Sequence, residues 1–266
     1  MDSDKNVPGI ADASRPNAGR IYDYFLGGHH NFDIDRQAAQ QVLEHAPHMP
    51  QFLMLIRWFL GEATRRLCEE GFDKFLDFAS GLPTVDHIHQ VAPKGTKVIY
   101  SDMDPVTVAY AQEIIGEDPN IRYMLCDAGR PEDILNSGVV EELFGNDRNV
   151  AIGMNGVIWF MRDEDVAHSL NVLYDWAGDG AKLYLCDSDT STITEDAKET
   201  IKIYEKSGQP MHLRPLEKTL ELIKPWKVDE PGVKLIEEWI DMGTKVTDRT
   251  KEKWGSGAVH GMILKK

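Results

Sequence analysis

The sequence predicts an α/β fold: a Rossmann-like, doubly wound sheet of seven strands, mostly parallel with an antiparallel last strand, and extra helices before the first strand. Three observations carry that prediction. The stretch from Phe72 to Pro105, FDKFLDFASGLPTVDHIHQVAPKGTKVIYSDMDP, reads as strand, glycine turn, helix, strand and acid. Short apolar runs and amphipathic stretches then alternate as far as Asp189. Beyond it, Trp226–Val228 with Lys234–Trp239, and His260–Leu264, suit an antiparallel pair closing the sheet edge.

In chain order, Met1–Ser14 reads as a flexible tail. Ile21, Tyr22, Phe25 and Leu26 recur at helical spacing, and Gly27-Gly28 stops that helix. A polar-aromatic loop, His29 to Phe32, leads to a second helix with Ile34, Ala38 and Val42 on one face. Pro50 opens a long helix striped with Phe52, Ile56, Phe59, Ala63 and Leu67, which Gly71 ends. The expected division is therefore a tail over 1–14, a helical lid over 15–71 and a core over 72–266. In the core, Phe75, Leu76, Phe78 and Ala79 suit a strand buried on both faces, and Thr84 to Ala92 a short helix. Further strands are expected at Lys97–Ser101, Ile121–Cys126, Val150–Met154 and Ala181–Cys186. Helices are expected after Asp104-Pro105, over Pro131–Phe144, after Asp163, and over Glu195–Lys206 and Pro215–Lys224.

A sheet of this kind binds its ligand outside the carboxyl ends of its strands. Four predicted strand ends are polar: Ser80-Gly81, Asp102-Met103-Asp104, Asp127-Ala128 and Asn155-Gly156. The first turn is a poor pyrophosphate cradle, because it offers Gly81 where three glycines are wanted, and Pro83 has no N–H to donate. That favours an adenosine ligand without phosphates, S-adenosylmethionine foremost. Asp102, about 20 residues past the turn, suits both ribose hydroxyls. Met103 suits an adenine face. Asp127 can accept from the adenine amino group while the Ala128 N–H donates to a ring nitrogen. Gly81 admits close backbone approach. Asp104 is read as a helix cap.

Composition narrows the function. The net charge of −15 repels a phosphate backbone, so no nucleic acid is expected as partner. The longest apolar stretch, around Phe52 to Leu60, contains Arg57 and is too short for a bilayer, so no membrane partner is expected. Cys68, Cys126 and Cys186 lack metal spacing and suit buried thiols in a reducing cytoplasm. MDSDKNVPGIADASRP has neither a basic region nor an apolar core, so a secretory signal is not expected. His87 and His89, two apart on a predicted helix, make a poor metal pair and read as a partly exposed helix; no metal is expected.

The stretch Phe72 to about Asp189 resembles class I S-adenosylmethionine-dependent methyltransferases. Arg20-Ile-Tyr-Asp-Tyr-Phe-Leu-Gly-Gly28, with Asn31-Phe32, Asp35-Arg36 and Phe75-Leu-Asp-Phe-Ala-Ser-Gly-Leu-Pro-Thr84, is similar to a bacterial methyltransferase family. That family is known for an N-terminal Tyr-Asp-Tyr-x-Leu-Gly-Gly motif. The resemblance covers nearly the whole chain after the tail and implies the class I fold and bound S-adenosylmethionine or S-adenosylhomocysteine. The family usually carries Gly-Thr-Gly where this chain has Ala79-Ser80-Gly81, and a lysine and an acid in place of His29-His30. Cofactor contacts are expected from Tyr22, His29, Asn31, Ala79, Ser80, Gly81, Asp102, Met103, Asp127, Ala128 and Asn155. The expected function is methyl transfer to a small molecule, with Trp159 and Phe160 as pocket wall and no assigned base. The alternatives are a non-catalytic S-adenosylmethionine-binding or sensor protein and, disfavoured by the single-glycine turn, a nicotinamide-dependent oxidoreductase.

Overall fold

The protein is described by a computed structural model, covering residues 15–47, 49–190, 195–206, 208, 210–239 and 259–266. The tail, Met1–Ser14, lies outside the described residues. Three helices come first: α1 (Ala18–Phe25), α2 (Asp33–His45) and α3 (Met49–Glu69). Asn17 caps α1, its side chain accepting from the Arg20 N–H. There follow β1 (Lys74–Asp77), α4 (Ile88–Val91), β2 (Lys97–Asp102), α5 (Pro105–Ile115) and β3 (Ile121–Leu125). Next come α6 (Glu132–Leu135), α7 (Val139–Phe144), β4 (Ala151–Asn155), a single tight turn over Ile158–Phe160, α8 (Asp163–Trp176) and β5 (Lys182–Ser188). The chain closes with α9 (Glu195–Lys206), α10 (Leu216–Leu222), β6 (Lys227–Val228), β7 (Lys234–Leu235), α11 (Ile236–Trp239) and β8 (Val259–Lys265).

The sheet order is β3-β2-β1-β4-β5-β8-β6, with β7 also on β8. The first five strands are parallel, and β8 runs antiparallel to β5. β6 meets Lys265 and Leu264 while β7 meets Gly261 and His260, so these two short strands share one edge position. Seven positions thus hold eight strands, the expected doubly wound sheet with its antiparallel closure. The order reverses between β1 and β4, which places the switch-point crevice over their carboxyl ends. One apolar core joins Ile21, Phe25, Ala38 and Val42 of the N-terminal helices to Phe75, Val98 and Ala151 of the strands. A second, on the opposite face, includes Leu76, Ile99, Ile152 and Leu183.

Several local expectations need correction. β1 ends at Asp77, and Ala79 already lies in the turn at φ 51°. The helix expected from Thr84 is the single turn of α4, capped by His87. Pro131–Phe144 is two helices, because Gly138 at φ 82° breaks the run. Lys234–Trp239 starts as strand but turns into α11. His87 is fully buried rather than part of a partly exposed helix. Its Nδ1 accepts the Ile88 N–H at 3.1 Å, so Nε2 carries the proton and donates to the Ser80 carbonyl at 3.0 Å. Burial, followed by the nearby Arg57 charge, holds its pKa well below the ordinary value, so it serves as a neutral cap.

Candidate functional site

The turn after β1 is fastened before anything binds it. Ser80 is buried; its N–H donates to the Ser101 carbonyl at 2.7 Å and its Oγ to the Asp77 carbonyl at 2.9 Å. Gly81 sits at φ 63°, and a Cβ there would meet nothing within 4 Å. Glycine is therefore set by the backbone conformation, and it leaves open space beside the turn. Ala79 adopts the same left-handed region with a Cβ, at a cost of roughly 1–2 kcal/mol.

Asp102 ties this turn to the next. Its Oδ2 accepts the Gly81 N–H at 3.1 Å and its Oδ1 accepts the Asp104 N–H at 3.0 Å. Burial pushes its carboxyl up to about 6, against the pull of those N–H groups. Beside it stand the large apolar side chains most open to water among the described residues, Met103 at 63% and Leu125 at 58% exposure. Leu125 is the register partner of Asp102. Two apolar side chains flanking a carboxylate offer a flat ring and its hydroxyls what each needs. Asp127 is exposed, with Oδ1 accepting the Gly129 N–H at 2.8 Å. Ala128 is buried, and its carbonyl accepts from Ser169 Oγ at 2.7 Å.

The N-terminal helices reach both turns. Arg20, almost wholly buried, donates from Nε to Asp35 at 2.8 Å and from Nη1 to Asp104 at 3.1 Å. Asp104 also caps α5 as expected, accepting from the Val106 and Thr107 N–H groups. Asp23, also buried, accepts from the His30 N–H and from Asn31 Nδ2, both at 2.9 Å, and lies 3.4 Å from Thr84 Oγ1. A Cβ on Gly28 would fall 2.0 Å from the Asp23 carboxylate, which explains the second glycine of the pair. The expected contacts divide here. Asn31 sits inside the loop, donating to Asp23 and the Gly28 carbonyl and accepting from Arg36. His29 is exposed, whereas the Nδ1 of His30 is buried without a partner among the described residues. Tyr22 donates its hydroxyl to the Leu53 carbonyl at 3.0 Å, with the Arg57 guanidinium 5.3 Å from its ring centroid.

Arg57 was not among the expected site residues. It is 4% exposed, and among the described residues its Nε and Nη1 have no hydrogen-bond partner. Its chain neighbour Ile56 meets the end of β4: Asn155 Nδ2 donates to the Ile56 carbonyl at 3.2 Å, and Asn155 Oδ1 is buried without a partner among the described residues. The sequence carried a signal for Arg57, a lone cation inside the longest apolar stretch.

On the far side of β4 the tight turn is stitched from across the chain. Arg214, buried, donates to the carbonyls of Ile158 at 3.0 Å and Met161 at 2.6 Å and pairs with Asp163 at 3.0 Å. The His212 N–H donates to the Trp159 carbonyl at 2.6 Å. Trp159 is buried and packs over Gly156, while Phe160 is half-buried with its centroid 5.8 Å from that of Tyr204 on α9.

Comparison with known proteins agrees with this geometry. A family model described as S-adenosyl methyltransferase matches residues 4–264. No curated protein sequence is matched. A crystal structure of a candidate methyltransferase from Thermobifida fusca YX is similar at 25% identity and a TM-score of 0.86, covering 99% of each chain. A DUF574 family protein from Streptomyces avermitilis MA-4680 shares the fold at 24% identity and a TM-score of 0.83, over 96% of this chain and 99% of that one. Magnesium protoporphyrin IX methyltransferase from Synechocystis PCC 6803, with bound S-adenosylhomocysteine, shares the fold at 10% identity and a TM-score of 0.54, over 92% of both chains. With its family model spanning nearly the whole chain and its polar strand ends gathered at the switch point, the protein belongs to the S-adenosyl methyltransferase family and is an S-adenosylmethionine-dependent methyltransferase.

Proposed function

We propose that the protein transfers a methyl group to a small molecule, with the adenosine of its cofactor lying across the ends of β1, β2 and β3. The observation that carries this placement is Asp102, a carboxylate joining two turns beside the exposed pair Met103 and Leu125. Asp102 takes the ribose hydroxyls, and Met103 and Leu125 take the two faces of the adenine. Asp127 and the Ala128 N–H read the adenine edge, and Ala79, Ser80 and Gly81 form the turn against which the sulfur end rests. The helices over 15–71 act as the lid of the 72–266 core, and the Tyr-Asp-Tyr-x-Leu-Gly-Gly stretch is the device that seats it. Arg20 on Asp104 and Asp23 beside Thr84 place that lid on the two turns the adenosine needs. Three unpaired cysteines suit a cytoplasmic setting.

The bound cofactor supplies a sulfonium methyl group open to in-line displacement. The chain's residues contribute positioning and exclusion of water, which can lower a barrier by up to ~7–11 kcal/mol in favourable cases. Phe160 and Tyr204 furnish an aromatic wall on the acceptor side, fixed by Arg214 through the carbonyls of Ile158 and Met161. An acceptor that is already nucleophilic needs no base, and this reading assigns none. Calorimetry with S-adenosylhomocysteine tests the placement: Asp102→Ala should weaken binding by about 1–3 kcal/mol, because the hydroxyls lose a charged acceptor. Unchanged affinity, or tighter binding of a nicotinamide dinucleotide, would defeat it.

A further inference from the structure

The buried tyrosines of this protein use their hydroxyls, with one exception. Tyr100 accepts the His89 N–H at 2.9 Å, Tyr123 donates to the Gly81 carbonyl at 2.6 Å, and Tyr184 donates to Asp77 Oδ1 at 2.9 Å. Tyr204, on α9, is 7% exposed, and among the described residues nothing bonds its hydroxyl. Burial alone raises the pKa of this phenol; no charge or hydrogen bond acts on it. A buried hydroxyl without a partner is uncommon, because its desolvation is left uncompensated.

The surroundings of that hydroxyl give it a use. The Tyr204 ring centroid lies 5.8 Å from that of Phe160, and Phe160 meets Trp159 edge to face at 6.4 Å. The Trp159 ring in turn comes within 3.3 Å of where a Cβ on Gly156 would stand, and Gly156 directly follows the end of β4. A line of aromatic contacts thus runs from the carboxyl end of β4 to Tyr204. Residues 211–213 join it: the His212 N–H holds the Trp159 carbonyl, and Met211 and Leu213 on either side are half-buried against the same core. An apolar lining with a few placed polar groups is how pockets orient small ligands. We propose that Tyr204 determines acceptor specificity: its hydroxyl donates a hydrogen bond to an oxygen or nitrogen of an otherwise apolar, flat acceptor seated against Phe160. A phenol kept protonated by burial donates rather than serving as a base, in keeping with an acceptor that is already nucleophilic. This assignment rests on the small-molecule reading proposed above, and narrows it to acceptors that carry a hydrogen-bond acceptor on an apolar frame.

Tyr204→Phe removes the oxygen and keeps the ring, so it isolates the hydroxyl. The full chain is given methyl-labelled S-adenosylmethionine and a metabolite extract, and the rate of label transfer is followed as the extract is diluted. The variant should need about tenfold more extract for half its maximal rate, while the maximal rate changes by less than about twofold. Its S-adenosylhomocysteine affinity by calorimetry should stay within about twofold of wild type. Thermal denaturation without ligand supplies a readout that a structural hydroxyl would move the other way. Because Phe removes an unpaired buried hydroxyl, the melting temperature of Tyr204→Phe should equal or exceed that of wild type. Unchanged half-saturation, a matching loss of S-adenosylhomocysteine affinity, or a lowered melting temperature would overturn the assignment. Absence of label from the small-molecule fraction with the wild-type protein would instead remove the small-molecule reading, and this role of Tyr204 with it.

Discussion

A carboxyl poised at about 6 inside a binding cleft makes affinity a function of pH in the range where proteins are handled. On the adenosine placement proposed above, Asp102 is such a group, and burial is the main cause of its raised value. Ribose hydroxyls donate to the ionised form, so S-adenosylhomocysteine affinity should fall as pH drops through about 6. Calorimetry between about pH 5 and 8 should show that slope in wild type and its loss in Asp102→Asn. For the empty site the sign is opposite. The folded value lies above the unfolded 3.8, so this carboxyl's stabilising contribution is present at lower pH and lost as pH rises through about 6. The place of Asp102 at the end of β2, within reach of the Gly81 turn, was legible in the sequence because distance from a glycine turn is a local property. Arg57 was not assigned, because its meaning depends on which partners the fold withholds, and no spacing rule records a missing partner. His87 failed to read for a related reason: Ser80 from the turn after β1 and Tyr100 from β2 meet its ring, which helical periodicity cannot show.

At the scale of elements, the N-terminal helices are held to the sheet by charge as well as by apolar packing. Arg20 bridges Asp35 on α2 and Asp104 at the start of α5, both partly or wholly out of water. Removing one partner of such a cluster strands the others, at a cost of about 3–5 kcal/mol. Arg20→Met should therefore lower denaturant stability by an amount of that order and weaken S-adenosylhomocysteine binding, because Asp104 shares the turn proposed above for the ribose. Gly28→Ala tests the loop more narrowly, since its Cβ would overlap the Asp23 carboxylate. That variant should stay folded, by circular dichroism, and bind S-adenosylhomocysteine less tightly; full affinity would reduce the loop to packing. The helices themselves were legible from apolar stripes at Ile21, Phe25, Val42, Phe59 and Leu67, all of which the core buries. The break at Gly138 was not, because a glycine within an amphipathic run can be tolerated or can end it, and neither was the shortness of α4, where Asp86 at φ 47° departs from helical backbone.

At the scale of the molecule, charge and the acceptor wall bear on the same question. A net charge of −15 repels polyanions over a Debye length of about 8–10 Å and makes tRNA and DNA unfavourable acceptors. The wall proposed for the acceptor side is aromatic: Phe160 and Tyr204 meet, α9 packs near α2, and the buried Trp159 adjoins Phe160. On the function proposed above, long-range repulsion with a short aromatic wall would select for a small, partly apolar acceptor over a polymer. A labelled-methyl assay on metabolite extracts, run against tRNA, DNA and protein fractions, tests this directly. Label should enter the small-molecule fraction, and replacing Phe160 by Ala should reduce it about tenfold while leaving S-adenosylhomocysteine affinity within about twofold, because the ring lies on the acceptor side. Label confined to macromolecules would reverse the reading of charge, since a local basic groove would then have to outweigh the global field. An equal effect of Phe160→Ala on cofactor affinity would place the ring in the cofactor site instead, and would move the acceptor to the other side of β4.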